Sequence, residues 1–360
     1  MSANIRTRSA AEVNVEEFVK LSISQKLPDR VCNAVHVKWK HLRSPFGAST
    51  AIDLVEKEEV FGRLWVTYRH WKLNNELLLM GHPQDLLVDT RNRALKDVVG
   101  LIECAFSKSL SESGMMYHGA NPNSEGLYGR IFRSRPNFHL QASVFPVSPL
   151  LLVFNLVTKS GGNSPSIFDL AYRQILRAIN WMFRGTRLLR DLESINDLEN
   201  IFRRFNESEA FSAVRSKEYF DWRFSQDATS PYVVKCICVR GEIVGYVVWS
   251  DTSAYDIRAR VLIDIVWLEK KSPINRFRLW ISIADYSNKN VDLIVFISNQ
   301  NNPALRKVSS MPMIIIPKKM MPQAIPIYLR LDQSRIDGNP AFIENQFRKS
   351  YFTLSDLDFF

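Results

Sequence analysis

Long apolar runs are missing from this chain. The strongest, Val144 to Val157, is broken by two prolines and an asparagine and is too short to cross a bilayer as a helix. The opening residues are polar, with Arg6 and Arg8 and no apolar stretch, so no secretory leader is expected. Cysteine is scarce, at positions 32, 104, 236 and 238 only. Cys236 and Cys238 alternate within one strand-like run and point the same way, with no second pair or nearby histidine to complete a metal set. All four read as reduced, mostly buried thiols of a cytoplasmic protein. Glycine-rich nucleotide fingerprints, His-Glu-x-x-His, Cys-x-x-Cys and Gly-x-Ser-x-Gly are all absent. That argues against dinucleotide, P-loop, zinc and serine-elbow chemistry, and no metal is expected.

What is present is apolar substance and positive charge. Apolar residues make up 46% of the 360, enough to build real cores and two domains of ordinary size. Lys and Arg number 47 against 37 acids, a net charge of +10. That balance suits a phosphate-bearing ligand, a nucleic acid or an anionic membrane face, and equally a merely basic surface. The basic residues are scattered, with no Lys/Arg block. A loose association with the inner membrane face is compatible with such charge.

The most informative pattern is a repeat. Trp39-Lys-His-Leu-Arg-Ser-Pro45-Phe-Gly47 precedes two strand-like runs around Phe61-Gly62. Trp222-Arg-Phe-Ser-Gln-Asp-Ala-Thr-Ser-Pro231-Tyr precedes two more around Gly241 to Gly245. Each half then reads strand, strand, strand, helix, strand, helix, strand, which is a mixed α/β pattern. Asn121-Pro122 and Asn302-Pro303 follow corresponding strands and form a second repeat signal. Gly161-Gly-Asn-Ser-Pro165 is the clearest break. The expected organisation is therefore residues 1–160, a bridging helix and linker over 161–190, and residues 191–360. Residues 166–182 read as an apolar-faced helix between the halves.

The key junction is Leu86-Leu-Val-Asp89-Thr90-Arg91-Asn92-Arg93-Ala94-Leu95-Lys96. A strand ends and an amphipathic helix, Arg91 to Ser109, begins. The first N–H groups of that helix lack internal partners and attract anions, and Arg91, Arg93 and Lys96 add charge. The alternative is a helix start whose basic residues face water. His82 falls in an apparent Gly-His-Pro turn, Glu76 opens the preceding strand, and His118 ends the strand before Asn121.

At this junction the chain resembles the GCN5-related N-acetyltransferases, specifically tandem-domain members associated with surface-polysaccharide assembly. Arg91 to Lys96 matches the family's pyrophosphate loop, with Ala94 and Lys96 in place of its two glycines. Asn121-Pro-Asn and Leu127-Tyr128-Gly-Arg-Ile-Phe132 resemble its late motif. Trp39 to Gly47 and Tyr219 to Phe224 resemble the openings of the two halves, and Tyr351 to Asp358 a closing strand. The resemblance implies two fused acyltransferase-like domains and direct transfer from acetyl-CoA or another acyl-CoA to an amine. It places the cofactor on Leu87, Val88, Arg91, Arg93, Ala94, Lys96 and Asn121, with a strand N–H near Leu87 or Val88 holding the thioester carbonyl. Tyr128 would be the general acid, with Asp89, His118 and Glu76 as candidate bases. His36, Trp39, Arg43 and His82 would meet the acceptor, an amino group on a sugar or sugar-nucleotide. The second half lacks a pyrophosphate loop and would shape the substrate site. Two rival readings are a non-catalytic scaffold of this fold and a tRNA-dependent aminoacyl transferase. The oligomeric state is not readable.

Overall fold

The computed structural model describes residues 4–27, 32–89, 94–120, 122–130, 132–133, 135–150, 167–182, 188–224, 232–254, 257–269, 273–285, 291–310, 313–316, 325–336 and 338–357. Strand β1 (Asn4–Ser9) leads to helices α1 (Val15–Ser24) and α2 (Ala34–Leu42), whose first turns are capped by the side chains of Asn14 and Asn33. Strands β2 (Thr50–Glu56), β3 (Glu59–Leu73) and β4 (Glu76–Val88) follow as an antiparallel meander. Helix α3 (Leu95–Ser113) ends at Gly114, whose φ of +69° supplies the left-handed cap. Then come β5 (Met115–Gly119), α4 (Pro122–Arg130), β6 (Phe138–Pro146) and α5 (Ile167–Met182).

The second half opens with β7 (Leu189–Asp191), α6 (Glu199–Ser208), β8 (Phe211–Ala213) and α7 (Lys217–Phe224). Its meander is β9 (Tyr232–Val239), β10 (Glu242–Ala254) and β11 (Ile257–Trp267). Helix α8 (Pro273–Asp285), β12 (Leu293–Ser298), α9 (Pro303–Ser309), β13 (Ile314–Ile315), β14 (Ile325–Leu331) and α10 (Pro340–Arg348) complete the elements. The strand-strand-strand-helix-strand-helix order thus occurs twice.

One mixed sheet carries the order β1-β2-β3-β4-β5-β14-β6-β12-β11-β10-β9-β7. The order is a palindrome of equivalent strands. β4 and β5 run parallel, as do β11 and β12, and the other neighbours are antiparallel. The centre is an exchange. β14 comes from the second half of the sequence but pairs with β5, and β6 comes from the first half but pairs with β12. The repeat extends to irregularities: an extra residue bulges β3 at Phe61 and β10 at Val244, each just before a glycine. The two opening tryptophans meet across the halves. Trp39 and Trp222 stack at 5.2 Å, and each indole N–H donates to the other's carbonyl, at 2.7 and 3.0 Å.

Two expectations are corrected here. Gly81-His82-Pro83 is not a turn, because β4 runs through it without a break. Beyond Gly81 the strand has lost β5 as a neighbour, and a proline is tolerated where one side needs no ladder donor. Helix α3 begins at Leu95, four residues later than the Arg91 start expected from its periodicity. Helix α5 turns Leu176, with half-buried Tyr172 and Ile179, to the core and leaves Ile167, Phe168, Ile175, Trp181 and Met182 exposed.

The C-terminal segment closes the second half. Ser298 bridges Thr353, Asn299 N–H donates to the Phe352 carbonyl, and the Tyr351 hydroxyl donates to the Ile265 carbonyl. Residues Tyr351 to Leu357 are all buried. Beneath them Arg215 forks onto Asp264 at 3.0 and 3.2 Å and reaches Asp356 at 2.9 Å, while Tyr246 and Thr353 also donate to Asp264.

Candidate active site

The parallel ladder between β4 and β5 is a single pair, Gly81 with Met116. Gly81 is required there: a Cβ would sit 1.7 Å from the Ser109 hydroxyl of α3. Past that point the strands part. β4 bulges at Asp85-Leu86, two residues opposite one of β3, with Asp85 at a φ of +54°. The gap between the strands therefore opens at the Leu86-Leu87-Val88 end, toward the start of α3.

Strand alternation sorts the side chains to two faces. Leu86 and Val88 join the apolar cluster under α3 with Phe106, Met116, Tyr128 and Tyr328, whereas Leu87 packs on the opposite face with Val37 and Trp65. On the α3 face the aromatic rings crowd around His118. Its ring lies 4.4 Å from Tyr128, 4.7 Å from Tyr328 and 5.1 Å from Phe106. Both ring nitrogens are buried without a hydrogen-bond partner. Burial, joined by the charges of Arg330 and His82, pushes its pKa well below the usual range, so the imidazole is neutral. Such a ring is a weak base. Burial and the neighbouring Tyr328 push the Tyr128 phenol up to about 12, against the pull of Arg330. The Tyr128 hydroxyl makes no hydrogen bond to a described residue, so its proton is available.

The other expected residues are placed as follows. Asp89 is buried just beyond β4, and its N–H donates to Phe61 at 2.7 Å. Ala94 is the uncapped N-cap of α3, and Leu95 and Lys96 are exposed in its first turn. Arg91, Arg93 and Asn121 lie outside the described residues. Glu76 is not at the gap. It is exposed at the opposite end of the 13-residue β4, about 40 Å from Val88 at the usual strand rise. His82 is buried rather than solvent-facing and stacks on Tyr117 at 4.5 Å. Trp39 is committed to Trp222, with half-buried His36 beside it at 5.2 Å, so neither indole face of the pair is an open sugar platform. Arg43 is exposed at the end of α2.

Several site residues carry no local signal. Tyr328 pairs directly with His118, and the guanidinium of Arg330 lies 4.6 Å over Phe106. Both come from β14, some two hundred residues downstream, and only the strand exchange brings them in. Asp85 sits in a stretch that reads as a turn. Lys40 Nζ reaches its carboxylate at 2.8 Å and His41 Nε2 at 3.2 Å. Burial opposes ionisation, but these two partners outweigh it and hold the carboxyl well below the usual range. Among the described residues, no group of His, Cys, Asp or Glu is arranged to hold a metal ion.

No protein-family model and no curated protein matches the chain. Solved structures do. A GCN5-related N-acetyltransferase from Anabaena variabilis aligns with TM-score 0.60 at 12% identity, over 92% of this chain and 74% of that one. Saccharomyces cerevisiae N-myristoyltransferase with bound myristoyl-CoA aligns with TM-score 0.55 at 14% identity, over 90% and 78%. An Enterococcus faecalis protein described as a probable N-acyltransferase aligns with TM-score 0.57 at 10% identity, over 92% and 73%. At such identities the likeness is one of architecture: the chain has the mixed α/β fold of the N-acyltransferases over about nine-tenths of its length.

Proposed function

We propose that the protein is an acyl-CoA-dependent N-acyltransferase with its donor in the gap between β4 and β5. The observation that carries this reading is a parted strand pair with a protonated phenol, Tyr128, that has no hydrogen bond to a described residue, on the α3 face beside Val88. The myristoyl-CoA bound by the yeast relative of similar fold agrees with a thioester donor. A backbone N–H near Leu87 or Val88 polarises the thioester carbonyl, and the exposed first turn of α3, with Lys96, receives the pyrophosphate. The neutral amine attacks the carbonyl carbon, the C–N bond forms, and the C–S bond breaks. Asp89 takes the amine proton, and Tyr128 gives its own to the leaving thiolate. His118, held neutral, packs and orients the Tyr128 ring. The acceptor is an amino group on a sugar or sugar-nucleotide, and the two halves act as tandem domains of which the first is catalytic.

Release of free thiol from acetyl-CoA, followed across a panel of amino sugars, tests the reading. Tyr128→Phe is expected to slow turnover by ~10²-fold or more while retaining donor binding. Thiol release unchanged in that variant would remove Tyr128 from the chemistry. No release with any amine would favour a non-catalytic binding protein, a reading that draws on Ala94 and Lys96 standing where two glycines are usual.

A further inference from the structure

The phenol of Tyr128 is a reluctant acid where it stands. Burial and the neighbouring Tyr328 push it up to about 12, whereas an ordinary thiol ionises near ~8.5. A general acid works best with a pKa near the pH at which it operates, so a proton held that tightly is slow to leave for a thiolate. A group that favours the phenolate would ease the transfer. On β5, His118 lies 4.4 Å from the Tyr128 ring and is neutral, and His82 acts on His118 rather than on the phenol. On β14, Tyr328 lies 5.7 Å away and is itself held protonated by burial, with Glu125 of α4 adding to that. Phe106 of α3 and Phe132 complete the ring cluster, at 6.1 and 5.9 Å. Among the described residues it is Arg330 that brings a cation to this cluster.

Arg330 arrives on the exchanged strand. β14 pairs with β5 so that Tyr328 stands beside His118 and Arg330 beside Met116. Residues two apart on a strand share a face, so Tyr328 and Arg330 stand on the α3 face with His118 and Met116. There the guanidinium lies 4.6 Å over the Phe106 ring and 5.5 Å over Phe132, within the same ring cluster as the phenol. Its charge favours loss of the Tyr128 proton, against the effect of burial. The side chain is half-buried and burial lowers its own pKa, but a guanidinium starts so high that it stays charged. Among packed rings its field is screened less than at the surface, so a charge formed one ring away feels it strongly.

We infer that Arg330 is a positioning residue for the proton transfer, stabilising the phenolate that Tyr128 becomes when it protonates the leaving thiolate. The inference rests on the acyl-transfer reading above. In that step the Tyr128 O–H bond breaks, an S–H bond forms on the departing coenzyme, and the negative charge stays on the phenol oxygen near the cation. The phenolate then takes a proton back from solvent. Asp89 gives up to solvent the proton that it took from the amine, so both residues return to their starting states. The second half thus supplies more than shape: through β14 it sets the acidity of a site built in the first.

Dependence on the leaving group tests this. Acyl transfer to an amine is followed with acetyl-CoA and with the p-nitrophenyl thioester of acetic acid, whose thiolate leaves without needing a proton. Arg330→Met is expected to slow transfer from acetyl-CoA about tenfold, the worth of one pKa unit, with acetyl-CoA affinity by calorimetry unchanged. Transfer from the activated thioester should change less than ~2-fold, because no proton is needed there. Arg330→Lys, which keeps a cation in place, should recover part of the loss, and Arg330→Met should add nothing in a Tyr128→Phe background. Equal slowing with both donors, or a further loss in the Tyr128→Phe background, overturns the inference and leaves Arg330 a packing residue. Transfer from neither donor to any amine by the unaltered protein overturns the acyl-transfer reading, and this inference with it.

Discussion

The two parallel strand pairs begin alike and end differently. In the first half the ladder stops after one pair, Gly81 with Met116. In the second it runs on for four, from Ala259 with Leu293 to Leu262 with Phe296. Both β4 and β11 then bulge, at Asp85-Leu86 and at Ile263. Beyond the bulge, the first gap is lined by Val88, Tyr128 and His118, and the second is stopped by the chain's own C-terminal segment over the Arg215 cluster. A repeated fold thus keeps its architecture in both copies while, among the described residues, only the second parted pair is bridged by the C-terminal segment. What decides is the material placed between the parted strands, not the strands themselves.

The largest expected effect breaks the plugged side. Arg215→Met leaves the buried carboxylates of Asp264 and Asp356 without their cation, and should cost ~3–5 kcal/mol in denaturant unfolding. Tyr128→Phe on the open side should leave the same unfolding curve within ~0.5 kcal/mol, because that hydroxyl has no hydrogen bond to a described residue to lose. Equal costs on the two sides would erase the distinction.

A smaller effect comes from pH. The folded His118 has a lowered pKa, so as pH falls below about 6.5 the unfolded chain takes up the proton first. Its contribution is present above that value and is lost on acidification, at up to about 1.4 kcal/mol per pH unit until the folded ring titrates. His118→Phe should flatten the acid limb of a melting-temperature profile between pH 6.5 and 5. An unchanged slope would mean that the ring is not buried as described.

The repeated hairpins and the helix after Val88 were legible because each rests on local periodicity or turn chemistry, whereas the aromatic openings at Trp39 and Trp222 lie in helices α2 and α7 rather than in turns. Tyr128 was named through the resemblance of Leu127 to Phe132 to the late motif of the N-acetyltransferases, and His118 through its place at the end of the strand before Asn121. The partnership of His118 with Tyr328 was not legible, because it depends on β14 crossing to the other half. Glu76 was misplaced by reading Gly81-His82-Pro83 as a turn, when the bulged, half-paired β4 simply absorbs the proline. Trp39 was given to a ligand because its partner, Trp222, is a distant residue of the other repeat. Apolar spacing marked α5 as amphipathic, and its Leu176, Tyr172 and Ile179 do pack on the core, but the burial of Asp169 and Arg173 on the same face carried no local signal.

The most direct test of one open gap and one plugged gap is calorimetric titration of the protein with acetyl-CoA and with a long-chain acyl-CoA, repeated on Lys96→Glu. The account predicts a single donor site per chain, weakened in the variant at the start of α3. Two sites per chain, or binding untouched by Lys96→Glu, would contradict it.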